Sequence, residues 1–154
     1  MTNNQECFET INQKKLCLKE MKTQFYIDND MQLSIVKAKI DNCLIKNGKR
    51  CDWLLIIEQR NIEIYIELKG CRIKDALEQL EITLNNTSLK QILEQKYKNN
   101  KPSKTFCCII YTKCPSNQPE IENAKKTFRK LGIILKFISS NSSKRPQKLS
   151  QLIS

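Results

Sequence analysis

Three residues are spaced along this chain so that they could hold a metal ion beside a phosphodiester and hydrolyse it. Asp52 stands at the start of an apolar run, 51–57, and Glu67 and Lys69 end a second run, 62–69. If the two runs are neighbouring antiparallel strands, Asp52 and Glu67 come near each other. Carboxylate oxygens are the ligands that Mg²⁺ prefers, and the bound ion activates water and neutralises charge on a phosphate.

Two further groups on the second run fit the same chemistry. The main-chain carbonyl of Leu68 is a candidate third oxygen ligand. The ammonium of Lys69 lies on the same predicted strand face as Glu67, where it could orient the attacking water and stabilise transition-state charge. Each residue alone also has an ordinary interpretation, because charged pairs two residues apart are frequent on solvated strand faces. Together they predict a metal-dependent phosphodiesterase site.

The residue types that the chain lacks narrow the chemistry further. None of the 154 residues is a histidine, which excludes histidine bases, histidine metal ligands and Ser-His-Asp triads. No two of the 8 cysteines form a Cys-x-x-Cys pair, which disfavours a zinc site. Any catalysis must therefore use carboxylates, lysines, hydroxyls, thiols or a metal ion.

The net charge of +11 is concentrated in the second part of the chain. Residues 1–90 carry 14 Lys/Arg and 13 Asp/Glu, whereas residues 91–154 carry 13 and 3. This distribution favours a polyanionic partner, with DNA expected ahead of RNA; the alternative is a solvated lysine-rich surface. No apolar run approaches the length of a bilayer, so no membrane partner is expected. One predicted helix carries four of these charges: Lys125, Lys126, Arg129 and Lys130.

The order of the predicted elements indicates an α/β (α+β) fold with a mixed β-sheet flanked by helices. Turn signals at 47–48 and 59–61 separate three extended segments, which would form an antiparallel three-strand meander. Hydrophobic periodicity predicts the helices and strands that surround it. The extended segments span 32–45, 51–58 and 62–69; helices are predicted over 5–22, 73–84, 88–97 and 119–131, and strands over 106–112 and 133–138.

The chain is expected to form a single domain over 1–138, followed by a basic, flexible tail over 139–154. In that tail Leu149, Leu152 and Ile153 could instead dock on the domain. The N-terminus lacks the basic and apolar regions of a signal peptide. We therefore expect a cytoplasmic protein whose cysteines are free thiols in a reducing compartment.

Asp52, Glu67-x-Lys69 and the strand–strand–helix order resemble the PD-(D/E)xK nuclease superfamily. The similarity covers roughly residues 33–112, with Cys51 in the place of the proline that often precedes the aspartate. The resemblance implies a restriction-endonuclease-like core, a Mg²⁺ or Mn²⁺ cofactor and hydrolysis of DNA.

The resemblance also implies roles for residues outside the two strands. A helix after the motif often carries a glutamine or lysine toward the site, and Gln79 is the matching residue. Some members use a glutamate from the first helix, for which Glu6 and Glu9 are both candidates. Apart from the resemblance, the basic residues beside the motif could contact phosphates flanking the cut, or could belong to solvated loops: Lys46, Lys49, Arg50, Arg72 and Lys74.

Three functions are consistent with these features. The first is a metal-dependent DNA endonuclease acting in repair, recombination, restriction or defence, for which the small size favours a homodimer. The second is a catalytically inactive nucleic-acid-binding module on the same fold, whose binding would be sensitive to salt. The third is a protein-interaction subunit whose basic surface meets an acidic partner.

Overall fold

The computed structural model describes residues 4–68, 72–97, 102–113 and 118–154. Within these ranges the chain forms nine β-strands, four α-helices and two short 3₁₀-helices, Gln5–Cys7 and Glu58–Arg60. None of the described helices combines the length and the apolar character needed to cross a bilayer. The strands are β1 (Phe8–Ile11), β2 (Lys15–Glu20), β3 (Thr23–Asp28), β4 (Ile35–Lys39), β5 (Trp53–Ile57), β6 (Ile62–Leu68), β7 (Lys104–Tyr111), β8 (Ile133–Ser139) and β9 (Gln147–Lys148). The helices are α1 (Ile73–Leu84), α2 (Thr87–Lys96), α3 (Gln118–Lys130) and α4 (Leu149–Leu152).

A six-stranded mixed sheet in the order β1-β4-β5-β6-β7-β8 forms the centre of the protein. Strands β4, β5 and β6 pair antiparallel, which confirms the predicted meander. Strands β7 and β8 continue the sheet in parallel with β6, and the helices α1 to α3 lie in the connections that parallel pairing requires. The predicted mixed α/β architecture is therefore confirmed.

Each face of this sheet is covered by its own hydrophobic core. On β6, Ile64 and Ile66 belong to one core and Tyr65 to the other, as the alternation of side chains in a strand requires. The Tyr65 core contains residues of all three long helices, including Leu80 and Phe128. The opposite core lies against the second sheet, which has the order β2-β3-β9.

The prediction of a helix over 5–22 is wrong. The segment instead contains a short 3₁₀-helix, β1, β2 and the turn at residues 21–22 that leads into β3. Leu16 and Leu18 are buried, and they alternate with exposed Lys15 and Lys19, a period of two that indicates a strand. Pairing with β3 buries these leucines in the opposite core beside Phe25.

The segment 139–154 docks on the domain, which corrects the expectation of a flexible tail and agrees with the alternative kept open for it. Strand β9 pairs in parallel with β3, and Leu149 and Leu152 are buried. Asn141 makes two hydrogen bonds to the backbone of Tyr26, accepting from its amide at 2.7 Å and donating to its carbonyl at 3.0 Å. The C-terminal segment is therefore part of the opposite core, which lies against the second sheet.

Cys7 and Cys43 form a disulfide between the first 3₁₀-helix and the loop after β4. For these two residues the expectation of free thiols is wrong, because the fold brings together cysteines 36 positions apart. Cys71 and Cys114 lie outside the described residues. The described cysteines with free thiols are Cys17, Cys51, Cys107 and Cys108.

Removing this disulfide is expected to destabilise the protein. A cross-link that closes a loop of this length lowers the entropy of the unfolded chain, so the Cys7→Ser/Cys43→Ser variant should lose about 4 kcal/mol of unfolding free energy. Urea unfolding under non-reducing conditions measures the difference. Reduced wild-type protein should unfold at the midpoint of the variant; a midpoint unchanged by reduction would contradict the prediction.

Candidate active site

Backbone hydrogen bonds from both neighbouring strands hold Asp52 at the start of β5. Its amide donates to the carbonyl of Ile66 at 3.2 Å, and its carbonyl accepts from the amides of Ile40 at 3.0 Å and Asp41 at 3.3 Å. The side chain is fixed as well, since Oδ2 of Asp52 accepts a hydrogen bond from the amide of Leu68 at 2.8 Å. The meander thus places the Asp52 carboxylate at the end of β6.

The Asp52 carboxylate meets three other carboxylates, each from a different element. One oxygen each of Glu20, Asp41 and Asp52 lies within 4.8 Å of the other two. Glu20 ends β2, Asp41 follows β4 in the chain, and Asp52 immediately precedes β5. Glu67, near the end of β6, hydrogen-bonds to the Asp52 side chain. We call these four residues the acidic cluster.

The acidic cluster is shielded from water at its centre. Asp52 is 6% exposed and Glu67 is 1% exposed, whereas Glu20 and Asp41 are half-buried. Burial, and to a smaller extent the negative charges of Glu20 and Asp41, raise the pKa of Asp52 to about 6, against the lowering effect of the Leu68 amide and of the hydrogen bond with the Glu67 carboxyl group. An all-oxygen set of converging carboxylates is the donor chemistry that Mg²⁺ or Mn²⁺ requires, so these residues fit such an ion.

The raised pKa predicts how stability depends on pH in the absence of metal. Between the ordinary value of 3.8 and about 6, folded Asp52 keeps a proton that the unfolded chain releases. The free energy of unfolding should therefore fall as pH rises through this window, by at most about 3 kcal/mol from this residue. Urea unfolding in EDTA at several pH values, with Asp52→Asn beside the wild type, measures it. The free energy of unfolding of Asp52→Asn, relative to that of the wild type, should increase with pH. A difference that does not change with pH would contradict the prediction.

Among the described residues, Arg50 forms an ion pair with a member of the acidic cluster. Its Nε donates to Oδ1 of Asp41 at 2.8 Å, and its Nη1 donates to the carbonyl of Gly48 at 2.7 Å. Both partners of the ion pair are partly shielded, with 22% of the Arg50 side chain and 29% of the Asp41 side chain exposed. Arg50 therefore neutralises part of the charge that the cluster would offer to a metal.

The other residues predicted to contact DNA are on the surface. Lys46 and Lys74 are exposed and form no ion pair with any described residue. Lys49 and Arg72 form solvent-exposed ion pairs. Such pairs add little stability and leave the side chain able to reach a phosphate. These pairs are Lys49 with Glu78 at 2.7 Å and Arg72 with Asp75 at 3.8 Å.

Helix α1 supports the chain just before Asp52 through two polar residues. Nε2 of Gln79 donates to the carbonyl of Arg50 at 3.2 Å, and the hydroxyl of Thr83 accepts from the amide of Cys51 at 2.7 Å. The same hydroxyl donates to the carbonyl of Gln79 at 2.7 Å. Thr83 is buried, so it satisfies a buried amide adjacent to the acidic cluster.

Replacing Thr83 by valine is expected to destabilise the protein and to displace Asp52. The Cys51 amide would be buried without its partner, at a cost of about 1–3 kcal/mol. Chemical denaturation measures this loss. Thr127→Val provides a matched control, because the Thr127 hydroxyl donates to the carbonyl of Asn123 on an exposed helix face. Equal losses of unfolding free energy in Thr83→Val and Thr127→Val would show that the Thr83–Cys51 hydrogen bond contributes no more stability than the exposed one.

The structure brings together some of the predicted site residues and adds others. Asp52 and Glu67 lie side by side, and the Leu68 amide, which the motif does not single out, bonds to Asp52. The roles of Asp52, Glu67 and the Leu68 carbonyl as metal ligands stay predictions. Lys69 lies outside the described residues. Glu6 and Glu9 are exposed and are not members of the acidic group that the fold assembles.

Glu20 and Asp41 are site residues that the sequence patterns did not identify. Glu20 is followed by a two-residue turn, but the prediction of a helix over this segment concealed the hairpin. Asp41 comes two residues after β4, a position that nothing in the sequence separates from an ordinary loop aspartate. The alternation of Leu16 and Leu18 was the signal that could have placed Glu20 at the end of a strand.

Comparison of the chain with models of protein families, with curated proteins and with solved structures finds no match. What can be said of the site therefore depends on its geometry and on the chemistry of its side chains. That geometry is a group of buried and half-buried carboxylates at the ends of adjoining strands, with an arginine on one side.

Proposed function

We propose that this protein is a metal-dependent endonuclease that hydrolyses phosphodiester bonds of DNA. The observation that carries the proposal is the convergence of Asp52, Glu67, Glu20 and Asp41 from separate strands and loops. Surface carboxylates need no such arrangement, and burying several of them together is costly unless a cation is bound. We further propose that the six-stranded sheet with α1 and α2 is a restriction-endonuclease-like core.

The cofactor in this proposal is Mg²⁺ or Mn²⁺, held by Asp52, Glu67 and the carbonyl of Leu68. Glu20 and Asp41 are the further oxygen donors that the fold adds. Such an ion supplies a water of lowered pKa and neutralises charge on the phosphate. The protein's own contribution is to fix these oxygens: the Leu68 amide bonds to the Asp52 side chain, and the backbone of Asp52 is bonded to Ile66 in β6 and to Ile40 and Asp41 after β4.

Lys69 has the role of positioning the attacking water and stabilising the negative charge that develops on the phosphate. Its place two residues after Glu67 in the chain supports this assignment. Gln79 has a positioning role, because its amide holds the Arg50 carbonyl two residues before Asp52. Arg50 is a candidate phosphate contact that pairs with Asp41 when no phosphate is bound.

The basic surface supports DNA as the substrate. Helix α3 presents Lys126, Arg129 and Lys130 to solvent, and the chain carries a net charge of +11. Contacts of this kind to the phosphate backbone give strong, salt-dependent attraction without sequence preference. The pairing of two copies as a homodimer, which would place two sites on a duplex, stays a prediction from the size of the chain.

Incubation of the purified protein with supercoiled plasmid and branched DNA tests the proposal. Cleavage is expected with Mn²⁺ or Mg²⁺, none with EDTA, and none by Lys69→Ala. Lys144→Ala is a matched control, because Lys144 is an exposed lysine of the segment before β9. Cleavage retained by Lys69→Ala would reject the assigned role. No cleavage with a salt-sensitive gel shift would favour the inactive binding module, and no DNA affinity would favour the protein-interaction subunit.

A further inference from the structure

A second candidate site lies away from the acidic cluster, in a cavity of about 1090 Å³. Its walls come from β6, from α1 and α2, from the start of β7 and from the turn that leads into β8. None of the four residues of the acidic cluster lines it. Its volume is slightly above the range typical of ligand-binding pockets.

Glu63 on β6 is a carboxylate of this cavity that lacks a counter-ion. Its Oε2 accepts a hydrogen bond from the Tyr65 hydroxyl at 3.1 Å, and it forms no ion pair with any described residue. Burial raises its pKa, against the lowering effect of the Tyr65 bond. A half-buried carboxylate that forms an ion pair with none of the described basic residues favours a cation that arrives from outside.

Tyr97 contributes a second group without a partner. Its hydroxyl is buried and has no hydrogen-bond partner among the described residues. Burial and the charges of Glu58 and Glu63 raise its pKa to about 12, so the hydroxyl is neutral and can accept a hydrogen bond. Buried hydroxyls of this kind are usually bonded in native proteins, and a ligand would supply the missing partner.

The rest of the lining alternates carboxylates with aliphatic side chains. Among the described lining residues, Glu81 and Glu94 lie on the walls with Glu63, against one basic residue, Lys90. This balance disfavours phosphates and carboxylic acids as ligands, in contrast to the charge of the whole chain. Apolar surface between these groups is provided by Leu84, Leu89, Leu93 and Ile133.

We propose that this cavity binds an aliphatic polyamine. One ammonium group would pair with Glu63 and donate to the Tyr97 hydroxyl, and further ammonium groups would lie near Glu81 and Glu94. The methylene segments of a polyamine match the leucine side chains between the carboxylates, so the ligand class fits both the charge and the apolar character of the walls. The proposal does not depend on the nuclease activity, because the two sites share no residue.

Calorimetric titration of the full chain with spermidine in EDTA tests this proposal. We expect saturable binding that Glu63→Gln weakens at least tenfold and that Tyr97→Phe also weakens. Glu122→Gln, on an exposed part of α3, and Asp52→Asn should bind like the wild type. Because Glu63→Gln removes a half-buried charge, Glu94→Gln, an exposed change, provides a second test that should not affect folding.

Two results would overturn the proposal. The first is the absence of saturable spermidine binding by the wild type. The second is binding that Asp52→Asn abolishes and that neither Glu63→Gln nor Glu94→Gln weakens, since the polyamine would then occupy the acidic cluster. Loss of binding in Glu63→Gln and Glu94→Gln with retention in Asp52→Asn supports it, whatever the outcome of the DNA cleavage assay.

Discussion

Asp52→Asn should lower metal-dependent DNA cleavage by a factor on the order of 10³, the loss expected when a metal that contributes several kcal/mol to the transition state is no longer held. The amide keeps the shape of the side chain, and its oxygen can still accept from the Leu68 amide, so the fold should be retained. What disappears is the central negative charge of the acidic cluster. Initial rates of plasmid nicking in Mg²⁺ and in Mn²⁺ measure the effect.

The control for this variant is Asp41→Asn, which removes a charge from the edge of the cluster where Arg50 already pairs with it. We expect a smaller loss of cleavage for Asp41→Asn than for Asp52→Asn, because Asp52 lies between Glu67 and the other two carboxylates. Cleavage by Asp52→Asn at the wild-type rate, with the circular dichroism of the folded protein, would exclude Asp52 from the reaction.

Glu20→Gln should lower cleavage by roughly 10- to 100-fold, the size of effect typical of groups that support a metal site. Glu20 brings the β2–β3 hairpin into the site, since its carboxylate lies within 4.8 Å of those of Asp41 and Asp52. Glutamine keeps the length of the side chain and removes its charge. The measurement is the rate of cleavage as a function of metal concentration, because a weaker metal site needs more Mg²⁺ for the same rate.

Glu9→Gln is the matched control for Glu20→Gln. Glu9 is an exposed residue of β1, and it is a glutamate that the family resemblance offered for this role. We expect its replacement to leave both the rate and the metal dependence unchanged. If Glu9→Gln lowered cleavage and Glu20→Gln did not, the hairpin would have no part in the site.

The part of the site that could be predicted from the sequence is the part built by local strand pairing. Asp52 and Glu67 lie on consecutive strands joined by a short connection, so their proximity follows from the alternation of apolar residues and the turn between them. The same reasoning predicts the meander, the helix α1 and the buried strand β7. These elements have strong periodic patterns and few competing interpretations.

What could not be predicted depends on contacts between distant segments. Glu20 reaches Asp52 because the β2–β3 hairpin packs on the meander, and the pairing of Cys7 with Cys43 depends on how β1 lies beside β4. The docking of the C-terminal segment depends on Asn141 meeting the Tyr26 backbone, 115 positions away. The Thr83–Cys51 bond likewise joins helix α1 to the segment before β5 across 32 positions. No local pattern specifies such pairings.

The most direct test of the acidic cluster as a metal centre is calorimetric titration of the purified wild type with Mn²⁺, beside Asp52→Asn and Glu9→Gln. We predict a saturable site in the wild type and in Glu9→Gln, and its loss in Asp52→Asn, because Asp52 belongs to the converging carboxylates and Glu9 does not. Equal Mn²⁺ binding by all three proteins, or none by the wild type, would contradict the account.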